Sequence, residues 1–223
     1  MVRLNRFLVL GLVLSLVGAA GSFAADRVAR VRPISEAELG PMLAGLLEGT
    51  RSKVGALEGA KPTNLPKPPA ILRTVAHLPD LMGPFLDYST VLAQHGTLSR
   101  RDAELLTLRV SWNCQSEFEW GHHESYARLE GMTREEIARI TKGPEAEGWS
   151  TKDRALLRAA DQLHAKQQID DAVWKELAAR YSEAQLVEIP FVVGHYTMLS
   201  MVANSTEVEL EERYERLPTK VAP

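Results

Sequence analysis

Six candidate helix starts along this chain pair a serine or threonine with an acid or a glutamine three residues later. The pairs are Ser35 with Glu38, Ser99 with Asp102, Ser116 with Glu119, Thr133 with Glu136, Ser150 with Asp153 and Ser182 with Gln185. This is the spacing of a helix-opening capping box: the hydroxyl takes the amide N–H three residues on, and the later side chain reaches back to the first N–H. Apolar residues then recur at helical intervals, as in Leu39, Met42, Leu43 and Leu46 after Ser35. From Ala70 onward helical patterning runs almost unbroken, and no alternating run bounded by turn residues reads as a strand. The pattern predicts an all-α fold of about eight helices, one compact domain with an N-terminal arm. Residues 70 to 96 divide into two helices near Pro79, because a proline is poorly tolerated inside a helix.

The remaining organisation follows from composition. Residues 1–24 carry Arg3 and Arg6, then an apolar run from Phe7 to about Ala20, then small residues ending in SFA. That is the layout of a Sec-type signal peptide, and the run is short for a bilayer span of about 20 residues. A secreted or periplasmic location is therefore expected, with an uncleaved membrane anchor as the alternative and no stable membrane span after cleavage. Removing that segment takes the formal net charge from −3 to −5, a poor match for nucleic acid. Residues 25–69 read as an N-terminal helix followed by a proline-rich linker, and 70–215 as the main domain. Cys114 is the only cysteine, so no intrachain disulfide forms.

The chemistry-bearing residues concentrate in one stretch, CQSEFEWGHHE, residues 114–124. Some need no special role. Glu119 stands where a capping glutamate stands, and Glu117 suits the positive end of a helix. Trp112, Phe118 and Trp120 read as core. Glu104, Cys114, His122 and His123 are harder to explain that way. Glu104 sits beside Leu105 and Leu106 on a strongly apolar helix. Cys114 precedes a helix start, where a thiolate is favoured and its pKa falls. His122 lies three residues after Glu119, on the same helix face, and a carboxylate within reach orients an imidazole for acid–base work. His122 is thus the expected acid–base residue, with Glu104 or Glu119 as its partner and Phe118 and Trp120 drying the site. His123 projects about 100° away and is given a lesser, binding role. Glu119-x-x-His122 and Asp161-x-x-His164 have the spacing of di-iron helix bundles, but two further helical glutamates are not evident, so no metal site is predicted.

Residues 98–137, LSRRDAELLTLRVSWNCQSEFEWGHHESYARLEGMTREEI, resemble the carboxymuconolactone decarboxylase family of the alkylhydroperoxidase-like superfamily. The shared pattern is an arginine-rich helix start with an internal glutamate, then an aromatic-Glu-Trp with histidine, then G-x-T/S-x-x-E-I. The later VGHYTMLSMVANSTEVEL resembles the family's closing helix. The resemblance implies a small-molecule substrate, homo-oligomers such as trimers or hexamers, and Glu104 as the upstream glutamate of the site. Peroxidases of the superfamily use C-x-x-C-x-x-x-H; with His122 as the histidine, Gln115 and Phe118 stand at the cysteine positions and Cys114 is one residue away. A dithiol cycle needs two thiols, so the chain looks like the decarboxylase-like branch, which works without a cofactor; the alternatives are a non-catalytic binding or assembly protein of the same fold and a thiol peroxidase pairing Cys114 with a partner thiol. In that branch a carboxylate-bearing lactone loses carbon dioxide as a dienolate forms, and a carbon is then protonated. Arg109 would hold a carboxylate or make a structural ion pair, and His195 is either a packing residue or part of the pocket.

Overall fold

The computed structural model describes residues 29–41 and 68–219. The expected signal segment, residues 42–67 of the expected first helix and linker, and the last four residues lie outside them. Among the described residues every regular element is a helix. A first helix, α1, covers 36–41. It is followed by α2 (Ala70–Val75), α3 (Pro79–Gln94), α4 (Arg100–Cys114), α5 (Glu117–Leu129), α6 (Arg134–Ile140), α7 (Thr151–Lys166), α8 (Asp171–Ala178) and α9 (Glu183–Thr206).

The starts of these helices are chemically explicit. Ser99, Ser116, Thr133, Ser150 and Ser182 each accept the amide three residues on. The box is reciprocal at Thr133–Glu136 and Ser182–Gln185, and at Ser35, whose N–H donates to Glu38 Oε2 at 2.8 Å. Asp170 caps α8 in the same way. Pro79 is the first residue of α3, where its missing N–H costs nothing. Gln115, Gln167 and Glu207 take the left-handed conformation that stops α4, α7 and α9.

Helix α4 is the axis of the domain, packing against α5, α7 and α9. Leu105, Leu106, Leu108 and Val110 are wholly buried, and so are its polar residues Glu104, Thr107 and Ser111. A helix buried all round must satisfy its polar side chains internally. Thr107 Oγ1 donates to Ala103 O at 2.9 Å and Ser111 Oγ to Thr107 O at 2.8 Å. Glu104 is satisfied from another helix, and that creates the site. On the far side, Arg109 grips Asp161 of α7 through two N–H groups, at 2.6 and 2.9 Å, and donates to Ile140 O at 2.7 Å.

Both ends of the described chain pack onto the domain. The N-terminal arm is tied by Arg30 N–H to Thr206 O at 2.8 Å and by Ile34 N–H to Arg73 O at 3.1 Å. After α9 the tail crosses α5 at Gly121, where a Cβ would come within 2.6 Å of Leu210 and 3.0 Å of the Glu215 carbonyl. By length and mean hydropathy (1.4) α9 resembles a bilayer span, but its buried face is part of this core.

Candidate active site

Glu104 and His123 meet between α4 and α5. His123 Nδ1 stands 2.7 Å from Glu104 Oε2, and Arg100, one turn before Glu104, donates to its other oxygen at 2.8 Å. The second ring nitrogen, Nε2, faces Glu119 Oε2 at 3.8 Å. All three members of this Glu–His–Glu group are buried. Aromatic rings enclose it: Tyr196 of α9 meets the His123 ring edge-on at 4.5 Å and Tyr126 at 5.3 Å.

Burial and charge act in opposite directions here. Burial drives the Glu119 carboxyl up to about 7, against the pull of the His123 charge. Burial would discharge His123, but the charge and hydrogen bond of Glu104, with the charge of Glu119, outweigh it and hold the pKa above the ordinary histidine value. Glu119 Oε1 is buried with no hydrogen-bond partner. A buried unpartnered oxygen on a group that exchanges its proton near neutrality is expensive for folding alone and fits proton transfer.

The expected partners of His122 are corrected. His122 reaches neither Glu104 nor Glu119; its Nε2 lies 2.8 Å from Glu211 Oε2 in the C-terminal tail, and its ring stacks on Tyr214 at 4.1 Å. Burial pushes Glu211 upward, but His122 and the amide donors, Ala70 N–H among them, hold it down at about 2. His122 is thus a tail clasp. Both histidines suit a partner at Glu119 by spacing, but only His123 is turned towards α4.

The other candidates fall as follows. Glu119 is not a reciprocal cap: Ser116 takes its amide, but its carboxylate turns inward to His123. Cys114 is the last residue of α4, at the negative end of that helix, and not a member of α5. Burial raises its thiol, opposite to the expected direction, although Ser200 and Thr197 pull the other way; its Sγ lies 3.6 Å from His164 Nδ1, apart from the Glu–His–Glu group. Arg109 is spent on Asp161, the structural one of its two expected roles. Trp120 is core, against Trp112. His195 packs among Phe85, Tyr88 and Tyr196 with its Nδ1 buried and unpartnered; burial, then the nearby His123 charge, depresses it to about 4. The two acid-x-x-His pairs diverge, since Glu119 faces His123 while His122 faces Glu211. Among the described residues no group of three or more such side chains is arranged to hold a metal ion. Sequence reasoning missed Arg100, Tyr196 and Glu211, all brought in by tertiary packing except Arg100, which the four-residue spacing to Glu104 would have shown.

The fold is that of the alkylhydroperoxidase-like domains. An alkylhydroperoxidase AhpD core from Ralstonia eutropha JMP134, described as an uncharacterized peroxidase-related protein, superimposes with a TM-score of 0.65 at 17% identity, over 84% of this chain and 95% of that one. A variant of the debrominase Bmp8, in complex with 2,3,4-tribromopyrrole, gives 0.63 at 17% identity, over 82% and 91%. An uncharacterized peroxidase-related protein from Silicibacter sp. TM1040 gives 0.62 at 16%, over 83% and 90%. No curated protein matches the sequence. Residues 79–162, which hold Glu104, Glu119 and His123, match the carboxymuconolactone decarboxylase family. With His123 as the motif histidine, the two cysteine positions of C-x-x-C-x-x-x-H fall on Ser116 and Glu119. The second thiol position is thus held by the carboxyl that faces the imidazole.

Proposed function

We propose that this protein is a carboxymuconolactone decarboxylase-like enzyme whose own side chains perform acid–base chemistry on a small carboxylate- or lactone-bearing molecule. The observation that carries this reading is Glu119, a buried carboxyl with a free oxygen and a pKa near neutrality, beside an imidazole anchored by a second carboxylate. Glu104 occupies His123 Nδ1 and favours the charged ring, so Nε2 is the nitrogen left to deliver a proton. As a substrate carboxylate departs as carbon dioxide, its bonding electrons pass into a dienolate. Nε2 then protonates carbon, and Glu119 returns a proton to the ring. The imidazole and both carboxyls are themselves buried, and Tyr196 and Tyr126 pack edge-on against the ring; keeping water from the group strengthens each of these interactions. Export from the cytoplasm and assembly into a homo-oligomer belong to the same proposal, supported by the layout of residues 1–24 and by an exposed apolar face on α9.

The test is turnover of carboxymuconolactone and related carboxylated lactones, followed by lactone absorbance and carbon dioxide release. Wild type should turn over, and His123→Ala should lose about 10² or more in kcat, the usual scale for a general acid–base group. Full activity in a folded His123→Ala protein, or no turnover of any carboxylated lactone by wild type, would sink the reading.

A further inference from the structure

The acid–base group has a partly exposed cation beside it. Arg100 opens α4, one turn before Glu104. It donates to Glu104 Oε1 at 2.8 Å while 40% of its side chain stays in solvent. A second N–H group donates to the carbonyl of Ala93 at the end of α3. Thus one guanidinium touches the buried carboxylate, the backbone of α3 and the solvent. Other cations nearby are committed elsewhere: Arg101 to Asp153 and Glu136, Lys152 to Asp102, Arg109 to Asp161.

An open groove of about 330 Å³ lies between α3 and α9, walled by Tyr88, Val91, Leu92, Val187 and Phe191; Glu188 also lines it, its carboxylate held by the Thr97 and Leu98 amides. Leu92 precedes Ala93, whose carbonyl Arg100 holds, and Tyr88 packs edge-on against His195 at 5.1 Å. His195 in turn contacts Tyr196, whose ring meets His123. The groove and the partly exposed Arg100 side chain thus lie on the same end of α3, the groove at Leu92 and the arginine at the Ala93 carbonyl. The charge balance favours an anion: Glu104 is a single carboxylate between two basic side chains, Arg100 and His123, so a neutral Glu119 leaves positive charge uncompensated.

We propose that Arg100 captures the anionic end of the substrate, a small organic carboxylate whose apolar body lies along the α3–α9 groove. Arginine suits this because its planar fork binds a carboxylate through two N–H groups while others remain on Ala93 and Glu104. This deepens the acid–base reading and rests on it for the identity of the bound molecule as substrate.

Binding is measured apart from turnover, by calorimetry on the full-length protein with benzoate and octanoate, and with benzamide as the uncharged control. Wild type should bind the carboxylates and not the amide. Arg100→Gln should weaken carboxylate binding by about tenfold or more, the scale of a charge-assisted hydrogen bond, and Arg100→Lys should recover part of it. If Arg100 served only to hold Glu104, the glutamine variant would shift the His123 titration seen by NMR but leave carboxylate affinity unchanged; that result overturns the proposal. So does wild-type protein that binds no carboxylate at millimolar concentration, or binds amide equally well. Phe191→Ser, with the guanidinium intact, should weaken octanoate more than acetate; equal effects would remove the groove from the proposal. Carboxylate binding without lactone turnover would sink the enzymatic reading and leave this anion site standing.

Discussion

At the scale of single residues, two buried or half-buried carboxyls respond to pH in opposite directions. Glu119 is raised to about 7 from an ordinary 4.5, so the folded state holds a proton that the unfolded chain gives up. Its contribution is full below about 4.5 and is lost as pH rises through 7. His123, also raised, adds a loss of the same sign at higher pH. Glu211 is lowered to about 2, so its contribution is present above about 4.5 and is lost as pH falls towards 2. Urea midpoints across pH 2 to 9 should therefore fall on both sides of mildly acidic pH. Glu119→Gln should flatten the neutral side and Glu211→Gln the acid side, and a Glu119→Gln profile parallel to wild type above pH 5 would refute the assignment. His122→Ala belongs with Glu211: it should loosen the tail yet leave turnover within a few-fold of wild type, because its partner lies outside the Glu–His–Glu group. The sequence shows Glu104, Glu119 and both histidines as the residues of interest but not which histidine pairs with which acid. His122 finds its partner 89 residues away in the tail, a distance that helical spacing cannot report.

At the scale of elements, capping chemistry made the helices legible and tertiary packing overruled it where the site was built. Three hydroxyl–acid pairs close reciprocally, at Ser35, Thr133 and Ser182, as their spacing predicts. Ser116–Glu119 has the same spacing, yet burial between α4 and α5 offers Glu119 an imidazole instead of an amide. The expected lowering of the Cys114 pKa failed for a related reason: as the last residue of α4 the thiol is partly buried, and burial raises it. Two joints between elements can be measured. Arg109 is nearly buried, so Asp161→Ala would strand a guanidinium between α4 and α7 and should cost about 3 kcal/mol in chemical denaturation. A loss below about 1 kcal/mol, the scale of an exposed pair, would show that the joint holds little. Gly121→Ala puts a methyl group where Leu210 and the Glu215 carbonyl already lie. It should cost about 1 to 3 kcal/mol, and limited proteolysis should cut the tail sooner than in wild type.

At the scale of the whole molecule, the outer face of α9 is out of place on an isolated monomer. Val187, Phe191, Met198 and Met201 are exposed, by 41% to 63%, and fall within an arc of about 80° at 100° per residue. Their spread along the helix, with Gly194 between them, forms a continuous apolar stripe. Val192, the neighbour of Phe191 in the chain, is by contrast buried. Leu81, Tyr88 and Val91 of α3 expose further apolar surface, and Val91 and Val187 face the same groove. Apolar patches of this extent mark surfaces that are covered in use, and the part of the stripe beyond the groove, at Met198 and Met201, fits a helical partner. A second copy of the chain supplies such a helix, and symmetry lets the same stripe serve both partners. Light scattering at micromolar concentration should therefore return a multiple of the chain mass. Met201→Glu lies at the end of the stripe away from the groove residues and the acid–base group, so it should break the assembly without touching either. Phe191→Glu should do the same and also disturb carboxylate binding. An unchanged mass in both variants would place the contact elsewhere, and a monomeric wild type would leave the stripe to some other partner.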